Sequence, residues 1–302
     1  MKDLKTPKQL RKEGWKELNL KREPFEIRSL SNTTFTGVTW TLALLAAVPL
    51  FSIIFMLLKN GGARLFGPEF FSVLTELPPA GFEMGGGIGP AIVGTLVMVA
   101  IASTIAIPMG ILTAVSIKML GSDSKLARAA HFTAKVLTGF PSILAGVFVY
   151  AVLVISFGYS ALAGGVALAV LMLPTIIIAT EEALGQVPKR MTDAAFGMGC
   201  TRTQVMWKII LPTALPGIMT GVMLAVAGAA GESAPLLFTA LFSNYYLSQM
   251  NEPTASLSVL IYNFSGMPFD NQIELAWTAS LVLVIIVLIF NIFARVISRK
   301  KT

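Results

Sequence analysis

The sequence has few of the residues from which catalytic and metal sites are usually built. Among its 302 residues there is one Cys and one His, so neither a disulfide framework nor a zinc site made of several such side chains can form. Charged residues make up 13% of the chain, about half of their usual share in a globular protein. No stretch reads Gly, four residues, Gly, Lys and Ser or Thr, so the phosphate-cradling loop of an ATPase is missing. We therefore expect no enzymatic activity and no cofactor in this chain.

Apolar residues are what the chain has in excess. They form 55% of the sequence, and the mean hydropathy is +0.75. A soluble core of this size would not need so many and would leave large apolar patches exposed. Because a helix of about 20 apolar residues crosses a bilayer, six runs are long enough to span it: 34–58, 89–117, 136–156, 162–180, 213–240 and 276–296. The predicted fold class is an all-α polytopic membrane protein with six transmembrane helices, of which the third and fourth form a hairpin around the turn Phe157–Ser160.

The distribution of basic residues between the spans predicts the orientation of the chain. Twenty-one Lys and Arg residues fall in the segments on one side, and only Lys59 and Arg64 fall on the other. Because cytoplasmic loops carry the excess of Lys and Arg, both termini are predicted to be cytoplasmic in a multi-pass protein of the plasma (inner) membrane. The net charge of +7 therefore reflects membrane topology, and no nucleic-acid partner is expected.

The spans divide the chain into five parts. Residues 1–33 form a basic cytoplasmic tail without a cleavable signal, so residues 34–58 are a retained first transmembrane helix. Residues 59–88 are rich in Gly and Pro and are predicted to be an external linker. Residues 89–296 form a core with five transmembrane helices, and residues 297–302 form a second cytoplasmic tail.

One cytoplasmic segment has the features of a docking surface for another protein. It consists of Asp193, Ala194, Ala195, three residues, Gly199, nine residues, Ile209, one residue, Leu211 and Pro212. The small side chains of Ala194 and Ala195 are expected to present a flat surface, and Gly199 permits a sharp bend between two short helices. Pro212 is expected to end the second of these helices before the next span. A short amphipathic helix pair of this kind fits a groove in a partner.

This segment resembles the EAA loop of ABC importer permeases, which reads Glu-Ala-Ala, three residues, Gly, nine residues, Ile-x-Leu-Pro. Every spacing matches, and the one difference, Asp193 in place of Glu, keeps the carboxylate. The run Thr138–Ile143 and the run Gly231–Ala240, which reads Gly-Glu-Ser-Ala-Pro-Leu-Leu-Phe-Thr-Ala, resemble the PstA-type permeases of phosphate importers. The resemblance extends from about Gly89 to Arg295 and implies the MetI-like fold of type I ABC importer permeases.

The resemblance also implies the function and the partners. It implies the transmembrane permease subunit of an ATP-driven importer of inorganic phosphate, which forms half of the translocation pathway. The implied partners are a homologous permease subunit (PstC-like), two copies of an ATP-binding subunit (PstB-like) and an external phosphate-binding protein (PstS-like), in addition to membrane lipid. In that family the EAA loop docks onto the ATP-binding subunit and transmits its closure to the membrane helices, so ATP is hydrolysed on a partner chain.

Glu232 is the only acidic residue within a predicted span. A carboxylate near the bilayer centre costs about 2.5–3.5 kcal/mol, so Glu232 is expected to face protein or a water-filled path. Pro235 removes a backbone donor three residues later, which predicts a break in the helix. We expect Glu232, Ser233 and Pro235 to line the translocation pathway. The alternative is that Glu232 is a structural carboxylate at the helix break.

One position departs from the PstA-type pattern. Those sequences usually carry an Arg four residues before this Glu, whereas this chain has Gly228, and no Lys or Arg lies in the interior of a predicted span. A phosphate anion would then need a cation from the partner permease or N–H donors exposed at helix breaks, unless specificity resides in the external binding protein. Three other functions stay open: a permease for another oxyanion or small solute, an ATP-independent secondary transporter, and a membrane anchor for signalling.

Overall fold

The computed structural model describes residues 27–121 and 124–299, and within these ranges every regular element is helical. The helices are α1 Ile27–Leu65, α2 Phe70–Thr75, α3 Gly89–Leu120, α4 Lys125–Thr138, α5 Ser142–Phe157, α6 Ala161–Gly185, α7 Lys189–Gly197, α8 Arg202–Gly231, α9 Ala234–Thr239, α10 Leu257–Ser265 and α11 Asp270–Arg299. Most of the predicted N-terminal tail (residues 1–26) and part of the C-terminal tail (residues 300–302) lie outside the described residues.

Five of the described helices are long and apolar enough to cross a membrane, namely α1, α3, α6, α8 and α11, and the bent pair α4 and α5 makes a sixth if it is counted as one span. The sequence predicts an unbroken third span over 136–156, but the chain bends by 108° between α4 and α5. The reason is Pro141, which lacks a backbone N–H and disfavours a helical conformation at Phe140. The predicted turn after α5 is present, and Ser160 Oγ accepts a hydrogen bond from the Ala163 N–H at the start of α6.

The chain divides into two units after Phe55, and the first of them contains the N-terminal part of α1. The large side chains of this part are apolar and exposed, as Trp40 and Phe51 illustrate. Four threonine hydroxyls along this part each donate to the carbonyl oxygen four residues earlier, those of Thr33, Thr36, Thr39 and Thr41. The helix therefore satisfies these polar groups internally, which a lipid-exposed span requires.

The second unit is built around α6, which is the most buried of the membrane-spanning helices. Helices α3 and α8 pack along it through small residues: Gly110 of α3 lies against Ile176, and Gly221 of α8 lies against Ala179. Such close approach replaces the hydrophobic driving force that helices lack inside a lipid bilayer. Larger side chains fill the space between the three helices, among them Met98, Leu168, Met172, Ile176 and Ile218.

The segment predicted as an external linker is helical at its start and is held on the beginning of α11. The Arg64 guanidinium donates to Asn271 Oδ1 at 2.5 Å, and its Nε lies 3.4 Å from the Glu274 carboxylate. The Asn271 amide in turn donates to the carbonyl oxygens of Glu83 and Gly85 at 2.8 and 3.1 Å. Because Asn271 is buried, these hydrogen bonds fix the path of the segment.

Gly94 of α3 lies where that helix meets the loop before α10. A Cβ atom at this position would overlap the carbonyl oxygen of Ala255 and come within 2.5 Å of Thr254 Cγ2. We expect Gly94→Ala to lower the free energy of unfolding by about 1–3 kcal/mol, because the obstacle is backbone that cannot move aside. Gly185→Ala is the matched control, since a Cβ there meets nothing within 4 Å. Thermal unfolding of the two detergent-solubilised variants measures the effect, and equal melting temperatures would contradict the expectation.

Candidate docking loop and translocation site

The predicted docking segment begins on α7, a helix whose outer face is exposed. Asp193 and Ala194 are exposed, as is Met198 directly after the helix. Ala195 is 1% exposed, so the expectation that both alanines present a flat surface is wrong for Ala195. Successive residues of a helix point about 100° apart, and this rotation turns Ala195 inward while Ala194 stays on the outer face. Ala195 therefore contributes to the packing of the loop and not to its exposed surface.

The turn after α7 is a Schellman motif with Gly199 in the left-handed position at φ +83°. The Cys200 N–H donates to the Ala195 carbonyl at 3.1 Å, and the Gly199 N–H donates to the Phe196 carbonyl at 2.9 Å. These bonds satisfy carbonyl groups that the end of a helix leaves without partners. A Cβ at Gly199 would meet nothing within 4 Å. The requirement for glycine therefore comes from the backbone conformation and not from crowding.

Helix α8 begins directly after this turn with a capping box. The Gln204 N–H donates to Thr201 Oγ1 at 3.3 Å, and Gln204 Oε1 accepts a bond from the Thr201 N–H at 2.9 Å. These reciprocal bonds satisfy two of the N–H groups that are free at a helix start. The beginning of α8 is thus held firmly against the turn at Gly199.

Pro212 does not end this helix, contrary to the sequence prediction. Helix α8 is continuous from Arg202 to Gly231. A single π-helical turn, Met206–Ile210, stands directly before Leu211 and Pro212 and contains Ile209. A π turn interrupts the regular i→i−4 ladder of hydrogen bonds, so a residue without an N–H is tolerated immediately after it. The second part of the docking segment, Arg202–Pro212, therefore belongs to the membrane-spanning helix, which is about 45 Å long at 1.5 Å per residue.

The helix break that Pro235 predicts is present at the other end of α8. The helix ends at Gly231, and α9 begins at Ala234 with Pro235 in its first turn. Glu232 and Ser233 occupy the break and are half-buried. Pro235 is buried, and a Cβ at Gly146 of α5 would lie 2.6 Å from its Cα. Pro235 therefore contributes the break and its packing, while Glu232 and Ser233 remain accessible.

The main chain at the break is fixed by serines that the sequence reasoning missed. Ser258 Oγ donates to the Glu232 carbonyl at 2.8 Å and lies 3.1 Å from Ser256 Oγ. Ser256 also caps α10 by accepting a bond from the Val259 N–H. A serine directly before an apolar run is a helix-start signal, so the cap at Ser256 was readable from the sequence. The contact of Ser258 with Glu232 was not, because it joins residues 26 positions apart.

The Glu232 carboxylate forms no salt bridge within the described part of the chain. Gly228 and Gly231 stand beside it at the end of α8, both exposed, and a Cβ at either would meet nothing within 4 Å. The position at which PstA-type sequences usually carry Arg is therefore an open surface one helical turn before Glu232. The geometry leaves room there for a side chain or a helix from another polypeptide.

Comparison with known proteins identifies relatives over most of the chain. The family described as "Binding-protein-dependent transport system inner membrane component" matches residues 106–302. The phosphate transport system permease protein PstA of Pasteurella multocida is 35% identical over 279 residues, which cover 92% of this chain and 98% of that protein. The probable phosphate transport system permease protein PstA of Methanocaldococcus jannaschii is 37% identical over 265 residues, 87% of this chain and 92% of that protein.

Solved structures share the fold at lower identity. A bacterial alginate ABC transporter superposes with a TM-score of 0.64 at 16% identity and covers 92% of this chain and 98% of that chain. The inward-facing MetNI methionine ABC transporter superposes with a TM-score of 0.57 at 21% identity over 69% of this chain and 93% of that chain. These likenesses confirm the predicted all-α fold of MetI-like importer permeases.

Proposed function

The chain belongs to the binding-protein-dependent transport permeases and, among them, to the PstA-type permeases, and from this premise we propose how its two sites cooperate. It is a multi-pass inner-membrane subunit of an ATP-driven importer of inorganic phosphate, and it carries transport rather than catalysis. Residues 89–296 form the permease core and half of the translocation pathway. Its two functional sites are the docking loop at one end of α8 and the helix break at the other end.

The partners follow from what this chain lacks. No phosphate-cradling ATPase loop is present in the sequence, so ATP is hydrolysed on two copies of a PstB-like ATP-binding subunit. A PstC-like permease completes the pathway, and a PstS-like external protein delivers phosphate. The excess of Lys and Arg on one side supports an orientation with both termini in the cytoplasm, where the loop at Asp193–Gly199 meets the ATP-binding subunit.

The continuity of α8 is the observation that carries the mechanism. When ATP draws the two ATP-binding subunits together, the turn at Gly199 moves with the subunit on which it is docked. Because α8 runs without a break from the capping box at Thr201 to Gly231, this movement is passed along a single helix to Glu232. The break at Glu232 and Ser233 is the point at which the moving helix separates from the packed segment that starts at Ala234. Opening and closing of the pathway takes place there.

The partner permease supplies the positive charge that the anion needs. The open surface at Gly228 and Gly231 supports this assignment, since a basic side chain from a facing helix reaches Glu232 there without a clash. In a narrow pathway, a carboxylate that faces a cation keeps that cation in position for phosphate. The same carboxylate also competes with phosphate for the cation. Such competition permits release, which tight binding by an unopposed cation would prevent.

Uptake into proteoliposomes tests this function directly. The vesicles contain this chain with its partner permease, ATP-binding subunits and binding protein, and radiolabelled phosphate uptake is followed with and without internal ATP. We expect uptake that requires ATP and is competed by unlabelled phosphate but not by sulfate or molybdate. ATP-dependent uptake that prefers another oxyanion would overturn the substrate, and uptake without ATP would overturn the coupling.

A further inference from the structure

A cationic cavity has a lining that includes no residue of the docking loop or of the helix break. It has a volume of about 510 Å³ and is walled by the end of α3, by α4 and by α6. Its lining includes the basic residues Lys118 and Arg128 together with His131 and Glu181. None of these residues has a part in the proposed transport mechanism, so the cavity calls for a separate explanation.

Among the residues that the structure describes, the charges that line this cavity do not balance. His131 Nδ1 lies 2.6 Å from Glu181 Oε2, so the one carboxylate of the lining is already engaged. Lys118 and Arg128 are exposed, and within the described residues neither forms a salt bridge. Two cations without a described partner at the mouth of a cavity favour an anionic occupant.

An apolar cavity of about 260 Å³ adjoins the cationic one and shares the walls formed by Ile117 and Ala127. Its lining is completed by Leu112, Thr113, Ser116, Leu120, Leu126 and Ala130. The hydroxyls of Thr113 and Ser116 donate to carbonyl oxygens of their own helix, so they offer little to a polar ligand. The two cavities together therefore provide positive charge next to an apolar surface.

Helix α4, which borders both cavities, has the character of a helix that lies in the membrane interface. It meets α5 at a bend of 108°, so it runs across the direction of that helix. Its exposed residues include the apolar Phe132 and Val136 and the basic Lys125 and Lys135. A helix with this mixture binds where headgroups meet acyl chains.

We propose that the paired cavities bind an anionic phospholipid of the cytoplasmic leaflet. Lys118 and Arg128 hold the headgroup phosphate, and an acyl chain lies along the apolar wall at Leu120 and Leu126. Basic pockets at the cytoplasmic ends of membrane helices hold acidic headgroups in this way. Free phosphate would use only the two cations, whereas a phospholipid uses both cavities, which favours the lipid. The leaflet rests on the orientation given under the proposed function, while binding itself does not.

Native mass spectrometry of the purified, delipidated full chain tests the proposal without any transport step. The probes are phosphatidylglycerol, phosphatidylcholine and inorganic phosphate, added separately to the wild type and to the double variant Lys118→Gln, Arg128→Gln, and inorganic phosphate is also added together with phosphatidylglycerol. We expect a phosphatidylglycerol complex that phosphatidylcholine does not form and that is weakened roughly tenfold in the double variant. The matched control is Lys125→Gln, Lys135→Gln, which removes the same charge from exposed positions of α4 outside the cavity lining.

The outcomes separate the possible explanations. An equal loss of lipid in the two double variants would overturn the proposal in favour of general attraction to a basic surface. Inorganic phosphate that competes fully with phosphatidylglycerol at the two cations would overturn the lipid as occupant. Should the double variant unfold, the single variant Arg128→Gln, at an exposed side chain, replaces it, and unchanged lipid binding in that variant counts against the site. Loss of lipid with unchanged phosphate uptake would leave the transport assignment untouched.

Discussion

Replacement of Gly199 by valine is expected to release the ATP-binding subunits from a folded permease and to reduce ATP-driven phosphate uptake about tenfold or more. Gly199 has φ +83°, and an L-residue with a Cβ costs about 1–2 kcal/mol in that region. A cost of 1.4 kcal/mol corresponds to about a tenfold lower population of the docking conformation. The effect is expected to arise from the backbone of the turn, because a Cβ at this position would meet nothing within 4 Å.

Gly185→Val is the control for this experiment, because it adds the same side chain at the end of α6, outside the docking loop, where the φ angle is not positive and a Cβ would meet nothing within 4 Å. Co-purification of the ATP-binding subunits and phosphate uptake are measured for both variants. Asparagine tolerates the left-handed region better than valine, so Gly199→Asn is expected to keep more of both activities. Normal co-purification of the Gly199→Val complex would refute the docking role of this turn.

Replacement of Glu232 by glutamine is expected to reduce phosphate uptake by about tenfold to a hundredfold in a complex that assembles normally. The two side chains have nearly the same size, and the hydrogen bond from Ser258 goes to the main-chain carbonyl, which the substitution keeps. What is lost is a charge, and hydrogen bonds to charged groups contribute about 1.5–3 kcal/mol. The reduction is measured as initial uptake rate per assembled complex.

Ser258→Ala is the counterpart of this variant, since it removes support for the main chain at the break and leaves the carboxylate in place. We expect it to lower the melting temperature while uptake per assembled complex stays close to that of the wild type. If Glu232→Gln fails to assemble, or transports phosphate normally, the carboxylate is a structural group and the pathway role is excluded.

Local chemistry made the docking turn and the helix break predictable from sequence. Gly199 adopts the left-handed conformation that is common at a helix end, and Pro235 lacks an N–H and stands in the first turn of α9, where none is needed. Prediction failed where contacts with a neighbouring segment determine the local structure. Pro212 stands inside a continuous helix because a π turn precedes it, and no residue type announces a π turn. Ala195 is buried although its neighbour Ala194 is exposed, because only the packing of the loop selects one alanine over the other.

The third span shows the same division between local and tertiary causes. Its bend follows from Pro141. The run of apolar residues continues across 136–156, so hydropathy does not reveal the bend. The hydrogen bond from Arg64 to Asn271 joins residues 207 positions apart. It helps to fix the Gly- and Pro-rich segment 59–88 in the fold. Pairings of that separation depend on the complete topology, which a single sequence does not display.

Under the proposed pathway role of Glu232, the uncovered end of α8 calls for a partner permease that differs from this chain. If two copies of this chain faced one another, the pathway would contain two Glu232 carboxylates and, from the described residues, no opposing cation. An incoming anion would then meet like charge in a medium that screens poorly. Self-pairing is therefore unproductive by electrostatics, and a second copy of this chain cannot substitute for the partner permease in the proposed pathway.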